Sequence, residues 1–166
     1  MRKLIILLTF LILACNSEPK LVTFEDVYQI ELPGDMSSST ELNEDASLQY
    51  SNILKEKYLI IIHESKEDWK KIVGETDYLK KYLNYISENF ETSFNSLAQI
   101  KNITLNESTK GALVEIKGET EGIEIIWNTI VVEGESNIYQ ISYWTLGDME
   151  YKMEELFDAA KTFREL

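Results

Sequence analysis

The sequence predicts an α+β fold, in which an antiparallel β-sheet of about six or seven strands carries helices packed on its faces. Residues 112–146 contain three runs rich in Val, Ile, Tyr and Trp, separated by turn-like clusters at 118–122 and 133–137. Such residues favour strands, whereas Gly, Ser and Asn break them, so the three runs predict a meander at the middle of one sheet. Two other stretches, 77–90 and 148–163, instead repeat their apolar residues at helical spacing.

The composition is typical of one folded domain. A chain of 166 residues that is 44% hydrophobic can build one hydrophobic core. Its formal net charge of −13 would repel phosphates, which excludes nucleic acid as a partner class and favours solubility. Its single Cys excludes an intramolecular disulfide and a Cys-based metal cluster.

Residues 1–14 are predicted to be a lipoprotein signal peptide. Arg2 and Lys3 form a basic n-region, and the apolar run at 4–13 is too short to span a bilayer, which needs about 20 residues. The Ile-Leu-Ala-Cys segment that ends at Cys15 resembles the bacterial lipobox, in which the Cys sulfur takes a diacylglycerol and the chain is cut before it. The alternative is an ordinary signal peptide with a chance Cys.

The lipobox resemblance implies a membrane anchor made of a diacyl group and an N-acyl chain on Cys15. Two or more acyl chains hold a protein stably, at about 0.8 kcal/mol per buried methylene. Cleavage removes Arg2 and Lys3 and lowers the net charge to −15, so the anchor rather than charge would hold the protein at an anionic surface. Asn16 stands where enteric lipoproteins retained at the inner membrane carry Asp. This predicts the outer membrane, with the protein facing the periplasm or the surface.

The segment at 15–25 is predicted to be the lipidated Cys and a short tether, and residues 26–166 a single domain. The domain begins with an alternating strand at 27–32. A polar loop follows, and then a one-sided strand at 48–54. Residues 58–62 are apolar on both faces and predict a central strand that is covered on both sides.

His63 is the only histidine, and we predict a structural role for it. A metal or catalytic site would need partners at a recognisable spacing, and the sequence has no second His and no nearby Cys. We therefore predict no catalytic residue, no metal ligand and no cofactor. The acids Glu119, Glu121, Glu133 and Glu135 fall in hairpin turns, where carboxylates are normally solvated, although oxygen ligands of this kind could also collect Ca²⁺.

Two helices are predicted after the central strand. Ser65 begins a capping box for a short helix that ends at Val73, with Gly74 at the C′ position. A longer helix begins near Asp77. Its core-facing residues recur at helical spacing and are Leu79, Leu83, Ile86 and Phe90.

Tyr78, Tyr82 and Tyr85 form a second stripe on the longer helix. At about 100° per residue they fall within one narrow sector, beside the apolar face but displaced toward solvent. Tyr combines an apolar ring with a polar tip and is enriched at interfaces. The plainer interpretation is that these three residues form the shoulder of the buried face. The alternative, which we carry forward as the candidate site, is that they bind a protein partner.

The remaining elements complete the predicted sheet and its cover. Residues 100–105 predict a strand before the meander, and Asp148 is predicted to cap a last helix that packs back on the sheet. Trp127 shares a strand face with Ile125 and is predicted to be buried. The order is strands, two helices, four strands and a helix, which is an α+β plan.

Two motifs resemble the PsbP-like fold. One is Tyr-Gln-Ile-Glu-Leu-Pro at 28–33, and the other is Tyr-Gln-Ile-Ser-Tyr-Trp-Thr at 139–145, which leads into a last helix ending at Phe163 and Arg164. That fold is shared by the extrinsic photosystem II subunit, the yeast Ran-binding import factor and DcrB-type bacterial lipoproteins. The resemblance covers roughly 26–164 and implies an α/β/α sandwich that serves as a non-enzymatic accessory or binding module. It carries over no functional residues.

These patterns predict a lipid-anchored protein of the bacterial cell envelope that acts as a non-enzymatic binding or accessory module for a protein partner. Two alternatives stay open, namely a carboxylate-based envelope hydrolase and a cation-dependent binding module. A deep pocket lined by converging acids would favour the hydrolase. A shallow surface with an aromatic patch would favour the binding module.

Overall fold

The computed structural model describes residues 18–106, 109–120, 122–147 and 150–166. The predicted signal peptide, Cys15 and Asp148 lie outside the described residues. In chain order the elements are β1 (Lys20–Phe24), β2 (Tyr28–Leu32), β3 (Ser37–Ser38), β4 (Leu48–Asn52), a 3₁₀ turn (Ile53–Lys55), β5 (Lys57–Ser65), α1 (Lys66–Val73), α2 (Tyr78–Phe94), β6 (Gln99–Thr104), β7 (Lys110–Thr120), β8 (Ile123–Glu133), β9 (Asn137–Leu146), α3 (Glu150–Lys161) and β10 (Arg164–Glu165). No helix in these ranges is both long enough and apolar enough to cross a membrane.

The strands form two antiparallel sheets, and the predicted α+β class is confirmed. The larger sheet has seven strands in the order β3-β4-β5-β9-β8-β7-β6, so the predicted meander of β7, β8 and β9 lies in its middle. The smaller sheet has the order β1-β2-β10. The first predicted strand, β2, therefore belongs to the smaller sheet instead of extending the larger one.

The first strand corrects the predicted tether. The sequence predicts a tether at 15–25, but residues 20–24 pair with β2 from Lys20 opposite Leu32 to Phe24 opposite Tyr28. Their Leu-Val-Thr-Phe sequence suits a strand, and Val22 packs against the core. Only residues 16–19 therefore separate Cys15 from β1.

Both faces of the larger sheet are covered. The smaller sheet and α3 cover one face, where the core includes Ile30, Leu59, Ile61, Ile141, Leu156 and Phe163. On the other face, α1 and α2 cover a smaller core of Tyr82, Ile86, Val131 and Ile138. Strand β5 contributes to both sides, since Ile60 is also buried and successive side chains alternate between faces. The prediction that β5 is a central, doubly covered strand is confirmed.

The predicted ends of α1 are confirmed. The Ser65 hydroxyl accepts a hydrogen bond from the Asp68 backbone N–H at 3.3 Å, as a capping residue does. Gly74 ends the helix at a φ of +86°, and its N–H donates to the Lys70 carbonyl oxygen at 2.7 Å. Glycine adopts this conformation without the steric cost that other residues incur.

Trp127 is half-buried, not fully buried as the sequence predicts. Its ring stacks on Trp144 with centroids 4.1 Å apart, and Phe90 and Phe94 from the end of α2 cover it at 5.5 and 5.8 Å. Helix α2 reaches the sheet here because Gly118 has no side chain, since a Cβ at that position would lie 2.8 Å from the Phe94 Cβ. The end of α2 therefore covers one side of the Trp127 ring.

Candidate functional site

Trp69 of α1 brings the three predicted tyrosines into one cluster. Its ring centroid lies 5.0 Å from that of Tyr82 and 5.7 Å from that of Tyr85. Its Nε1 donates a hydrogen bond to the Tyr78 carbonyl oxygen at 3.1 Å. The sequence analysis does not single out Trp69. The signal that could have found it is that Trp69 is the one aromatic residue of the short helix that Ser65 caps.

The tyrosines differ in exposure, which corrects the prediction that the whole stripe is displaced toward solvent. Tyr82 is 1% exposed and belongs to the core beneath α2. Tyr85 is 54% exposed, and Tyr78 is intermediate. Tyr85 is therefore the member of the stripe that a partner could reach directly, and partner binding by the stripe stays a prediction.

An ion pair fixes the start of α1 and α2 against the sheet. Lys66 Nζ lies 2.8 Å from the Glu133 carboxylate, and the Tyr78 hydroxyl donates to the same carboxylate. Hydrogen bonds from Lys66 and Tyr78 hold the pKa of Glu133 below its usual 4.5, and the bond to Glu133 raises the pKa of Tyr78. Lys70 Nζ lies 4.6 Å from the Tyr78 ring centroid. The helices are thus held in place before any partner binds.

Glu64 lies beneath the cluster at the end of β5. Burial raises the pKa of its carboxyl; the Tyr82 hydroxyl opposes this shift, and the charge of Asp45 adds to it. Burial also raises the pKa of the Tyr82 hydroxyl, with the Glu64 charge as a further cause. The Tyr82 hydroxyl oxygen is buried, and the Glu64 carboxyl interacts with it, but no described residue meets it with the geometry of a well-formed hydrogen bond.

Exposed apolar surface continues from Trp69 along α1. Ile72 is 75% exposed, and its position three residues after Trp69 places both on one side of the helix. Lys81 Nζ donates to the Val73 carbonyl oxygen at 2.5 Å, which ties the end of α1 to α2. We call Trp69, Ile72 and Tyr85 the α1–α2 surface.

A second candidate site is a pocket of about 600 Å³ beside the end of β2 and α3. It lies at the end of the molecule where β5 begins, whereas α1 follows the other end of β5. Leu32, Pro33 and Ala159 supply apolar lining. Its charged lining residues are Lys55 and the acids Glu18, Glu31, Asp35, Glu155 and Asp158.

Lys57 binds two of these acids from behind the pocket. Its side chain is buried, and its Nζ lies 2.7 Å from Asp35 and 3.0 Å from Glu155. Burial by itself would raise the pKa of Asp35, but the hydrogen bonds and charges of Lys55 and Lys57 outweigh it and lower the pKa below 3.8. A general acid needs a raised pKa, so the shift at Asp35 suits an ion pair and not proton donation.

His63 and the described hairpin acids do not come together in a metal site. Among the described side chains, no group of three or more His, Cys, Asp or Glu could hold a metal. Glu119, Glu133 and Glu135 are exposed at the strand ends, and Glu121 lies outside the described ranges. His63 Nδ1 lies 3.1 Å from the Ser47 hydroxyl, and its ring packs against Phe24, Tyr28 and Tyr139.

Comparisons with known proteins show the fold alone. No protein-family model matches the chain, and no curated protein matches it. A 1.50 Å crystal structure of a Bacteroides thetaiotaomicron protein is similar over 91% of this chain, with a TM-score of 0.60 and 10% identity, and the chain spans 49% of that protein. PA94, a Pseudomonas aeruginosa protein of unknown function, is similar over 87% of this chain and 95% of its own length, with 14% identity and a TM-score of 0.48. The chain is therefore similar in fold to a Bacteroides protein of about twice its length.

Proposed function

We propose that the protein is a lipid-anchored module of the bacterial cell envelope that binds a protein partner through the α1–α2 surface. The observation that carries the proposal is the aromatic cluster around Trp69. It leaves Tyr85 exposed beside the Trp69 ring and Ile72 exposed on the same side of α1, although neither side chain belongs to the buried core. A patch of this kind favours a binding module.

The framework beneath the α1–α2 surface supports this proposal. The Lys66–Glu133 ion pair holds α1 on the sheet, and the bond from Lys81 to the Val73 carbonyl oxygen holds it on α2. A surface that is ordered before binding loses less conformational entropy when the partner arrives. Truncation of an interface aromatic on such a surface typically costs about 2 kcal/mol or more of binding free energy.

The position of the anchor also supports the proposal. Strand β1 begins at Lys20, which pairs with Leu32 at the end of the molecule where β5 starts. Helix α1 follows the opposite end of β5. A lipid on Cys15 would therefore hold the far end of the domain and leave the α1–α2 surface turned away from its membrane. The resemblance of residues 28–33 and 139–145 to the PsbP-like fold favours the same non-enzymatic role.

The test is photo-crosslinking in the native envelope, with a photoreactive residue at position 85 of the full, lipidated chain. The matched control is position 166, because Leu166 is exposed to a similar extent but follows β10 of the smaller sheet, which covers the other face of the larger sheet. We expect one partner to be captured from position 85 and not from position 166. Equal capture from both positions, or from neither, would contradict the proposed surface.

A single substitution then measures the contribution of the surface. Once crosslinking has identified the partner, we expect Tyr85→Ser to raise the Kd for the purified partner about 30-fold, which corresponds to roughly 2 kcal/mol. The variant should keep its unfolding free energy to within about 0.5 kcal/mol. A triple change that included Tyr82 would not be informative, because Tyr82 is buried in the core beneath α2.

The anchor has its own test. We expect Cys15→Ser to abolish fatty-acid labelling and to make the protein extractable without detergent. A wild-type protein that incorporates no labelled fatty acid would refute the lipid anchor and would leave the α1–α2 surface to be judged by the crosslinking result.

The acid-lined pocket favours a second candidate function, a carboxylate-based envelope hydrolase. Glu155 and Asp158 lie three residues apart on α3, and both line the pocket. Glycosidases use such pairs as acid and nucleophile or base. Purified cell-wall glycan incubated with the wild-type protein should then release fragments, and Asp158→Asn should stop the release. No release by either protein would exclude this candidate for that substrate.

A further inference from the structure

The pocket end of the molecule carries exposed apolar side chains on a well-held turn. Leu54 is 98% exposed in the 3₁₀ turn between β4 and β5, and its neighbour Ile53 is also exposed. Lys152 Nζ donates to the Lys55 carbonyl oxygen at 2.5 Å, which places the first turn of α3 and its exposed Tyr151 beside them. We call Ile53, Leu54 and Tyr151 the apolar tip.

The turn that bears the tip is held by several hydrogen bonds. The Asn52 side chain accepts from the Lys55 N–H at 3.1 Å and donates to the Asp35 carbonyl oxygen at 2.9 Å. The Glu56 N–H donates to the Ile53 carbonyl oxygen at 3.3 Å. A turn fixed in this way keeps Leu54 in solvent, where its side chain has no packing role within the domain.

The chain leaves the fold toward the membrane anchor at this same end. Glu18 and Pro19 line the same pocket as Lys55. Lys20 Nζ donates to the Met36 carbonyl oxygen at 2.5 Å, and the neighbouring Asp35 binds Lys55 Nζ at 2.7 Å, so two contacts connect β1 to the turn.

The distance from the anchor to the tip is short. Three peptide units separate Cys15 from Glu18, and a fully extended chain of this length spans at most about 10 Å. The Cys15 acyl chains must lie in the membrane, so Glu18 cannot lie more than about that distance from the lipid interface. The pocket end, with its tip, is then the part of the described domain that meets the membrane.

We propose that the apolar tip inserts into the surface of the membrane that holds the anchor, an inference that rests on the lipid anchor of the proposed function. Leu and Ile side chains gain free energy on leaving water, and Tyr suits the headgroup region because its ring is apolar and its hydroxyl is polar. Insertion at a single leucine favours the membrane-bound state about 10- to 100-fold. The anchor keeps the tip at high effective concentration near the lipid, so this small gain is sufficient.

The charges around the tip select the kind of lipid. Five acids line the adjacent pocket, and Lys55 is the cation among its lining residues. Anionic headgroups would be repelled by this excess of negative charge. The tip therefore fits a zwitterionic lipid surface, and anionic lipid should oppose its insertion.

The experiment uses the full, acylated chain in phosphatidylcholine vesicles. Because the chain has one Cys, whose sulfur is acylated, Leu54→Cys provides the only free thiol for a solvent-sensitive fluorophore. The matched control is Ile72→Cys, which also replaces an exposed apolar side chain, on α1. Strand β5 separates the two positions, and its nine residues span roughly 30 Å.

We expect the label at position 54 to shift to shorter emission wavelength and to be quenched by a lipid-borne quencher at least threefold more than the label at position 72. Replacing one third of the lipid by phosphatidylglycerol should reduce the quenching at position 54. Equal quenching at both positions, while both variants float with the vesicles, would overturn the inference and leave the anchor standing. A wavelength shift that grows with protein density and is not accompanied by lipid quenching would show that the tip contacts a second copy of the chain. This result would also overturn the inference.

Failure of the anchor is recognised separately. If the protein carries no fatty acid by mass spectrometry and neither variant floats with the vesicles, the lipid anchor is wrong, and the membrane contact of the tip falls with it.

Discussion

Replacing Lys57 by Met should destabilise the fold strongly. The Lys57 residue is 1% exposed, and its Nζ lies within 3.1 Å of both carboxylate oxygens of Asp35 and of Glu155. Met preserves the length and the apolar stem of the side chain but removes the charge. The substitution would leave the mostly buried Asp35 carboxylate with Lys55 as its remaining cation.

The magnitude follows from the burial of the three partners. Removing one member of a buried ion pair costs about 3–5 kcal/mol, because an uncompensated charge stays behind. The Glu155 side chain is 46% exposed and can be solvated, and Asp35 keeps Lys55, so we expect the lower end, about 3 kcal/mol. That is a large part of the 5–15 kcal/mol that stabilises a typical domain.

The pH dependence has a definite sign. The pKa of folded Asp35 is lowered below 3.8, so its ionised form favours the folded state. This stabilisation is complete above the pKa of the unfolded state and is lost as the pH falls through the folded-state pKa. Lys57→Met removes one of the two cations that lower the pKa, so the loss of stability below pH 3.8 should be smaller in the variant.

Urea unfolding followed by tryptophan fluorescence, at pH 7 and at pH 3, measures both effects. Lys55→Met is the matched control, because Lys55 binds the same carboxylate but is mostly exposed, and we expect it to cost much less than Lys57→Met. A Lys57→Met variant that loses under about 1 kcal/mol, or no more than the control, would show that the buried charge is not needed to hold Asp35.

Three further predictions use the same unfolding assay. Trp127→Ala should lower the free energy of unfolding by about 3 kcal/mol, the low end for a large aromatic residue, because the ring is half-buried between Trp144 and α2. A loss under about 1 kcal/mol would show that the ring lies at the surface. Glu64→Gln should stabilise the fold by about 0.5 kcal/mol at pH 7, since burial disfavours the charge, and the gain should vanish below pH 4.5, where the carboxyl is protonated in both states. Tyr82→Phe should be neutral or stabilising by up to about 1 kcal/mol, because the hydroxyl it removes is buried without a well-formed hydrogen bond; a loss above about 1 kcal/mol would show that its contact with the Glu64 carboxyl stabilises the fold.

Local patterns were enough to predict most elements of the fold. The capping Ser65 and the terminal Gly74 act within one helical turn, and the turns of the meander join strands that are adjacent in sequence. Such signals depend on neighbours a few residues apart, so the sequence by itself determined the helices, the meander and the doubly covered β5. The proposed lipid anchor at Cys15 also comes from the sequence alone.

The tertiary structure decided which predicted residues meet and which reach solvent. Helical spacing places Tyr82 and Tyr85 in one sector, but the packing of α1 and the sheet against α2 buries the first and leaves the second exposed. Residues 20–24 read as a tether until β2 supplies backbone partners for them.

The ion pair behind the pocket shows why the sequence alone could not predict such contacts. Lys57 and Glu155 are 98 residues apart in the chain, and a lysine in a strand carries no local sign that two carboxylates will surround it. Burying that charge is favourable only after the sheet and α3 have brought the acids within hydrogen-bonding distance. Contacts of this kind depend on the whole fold, and residue types and their spacing cannot specify them.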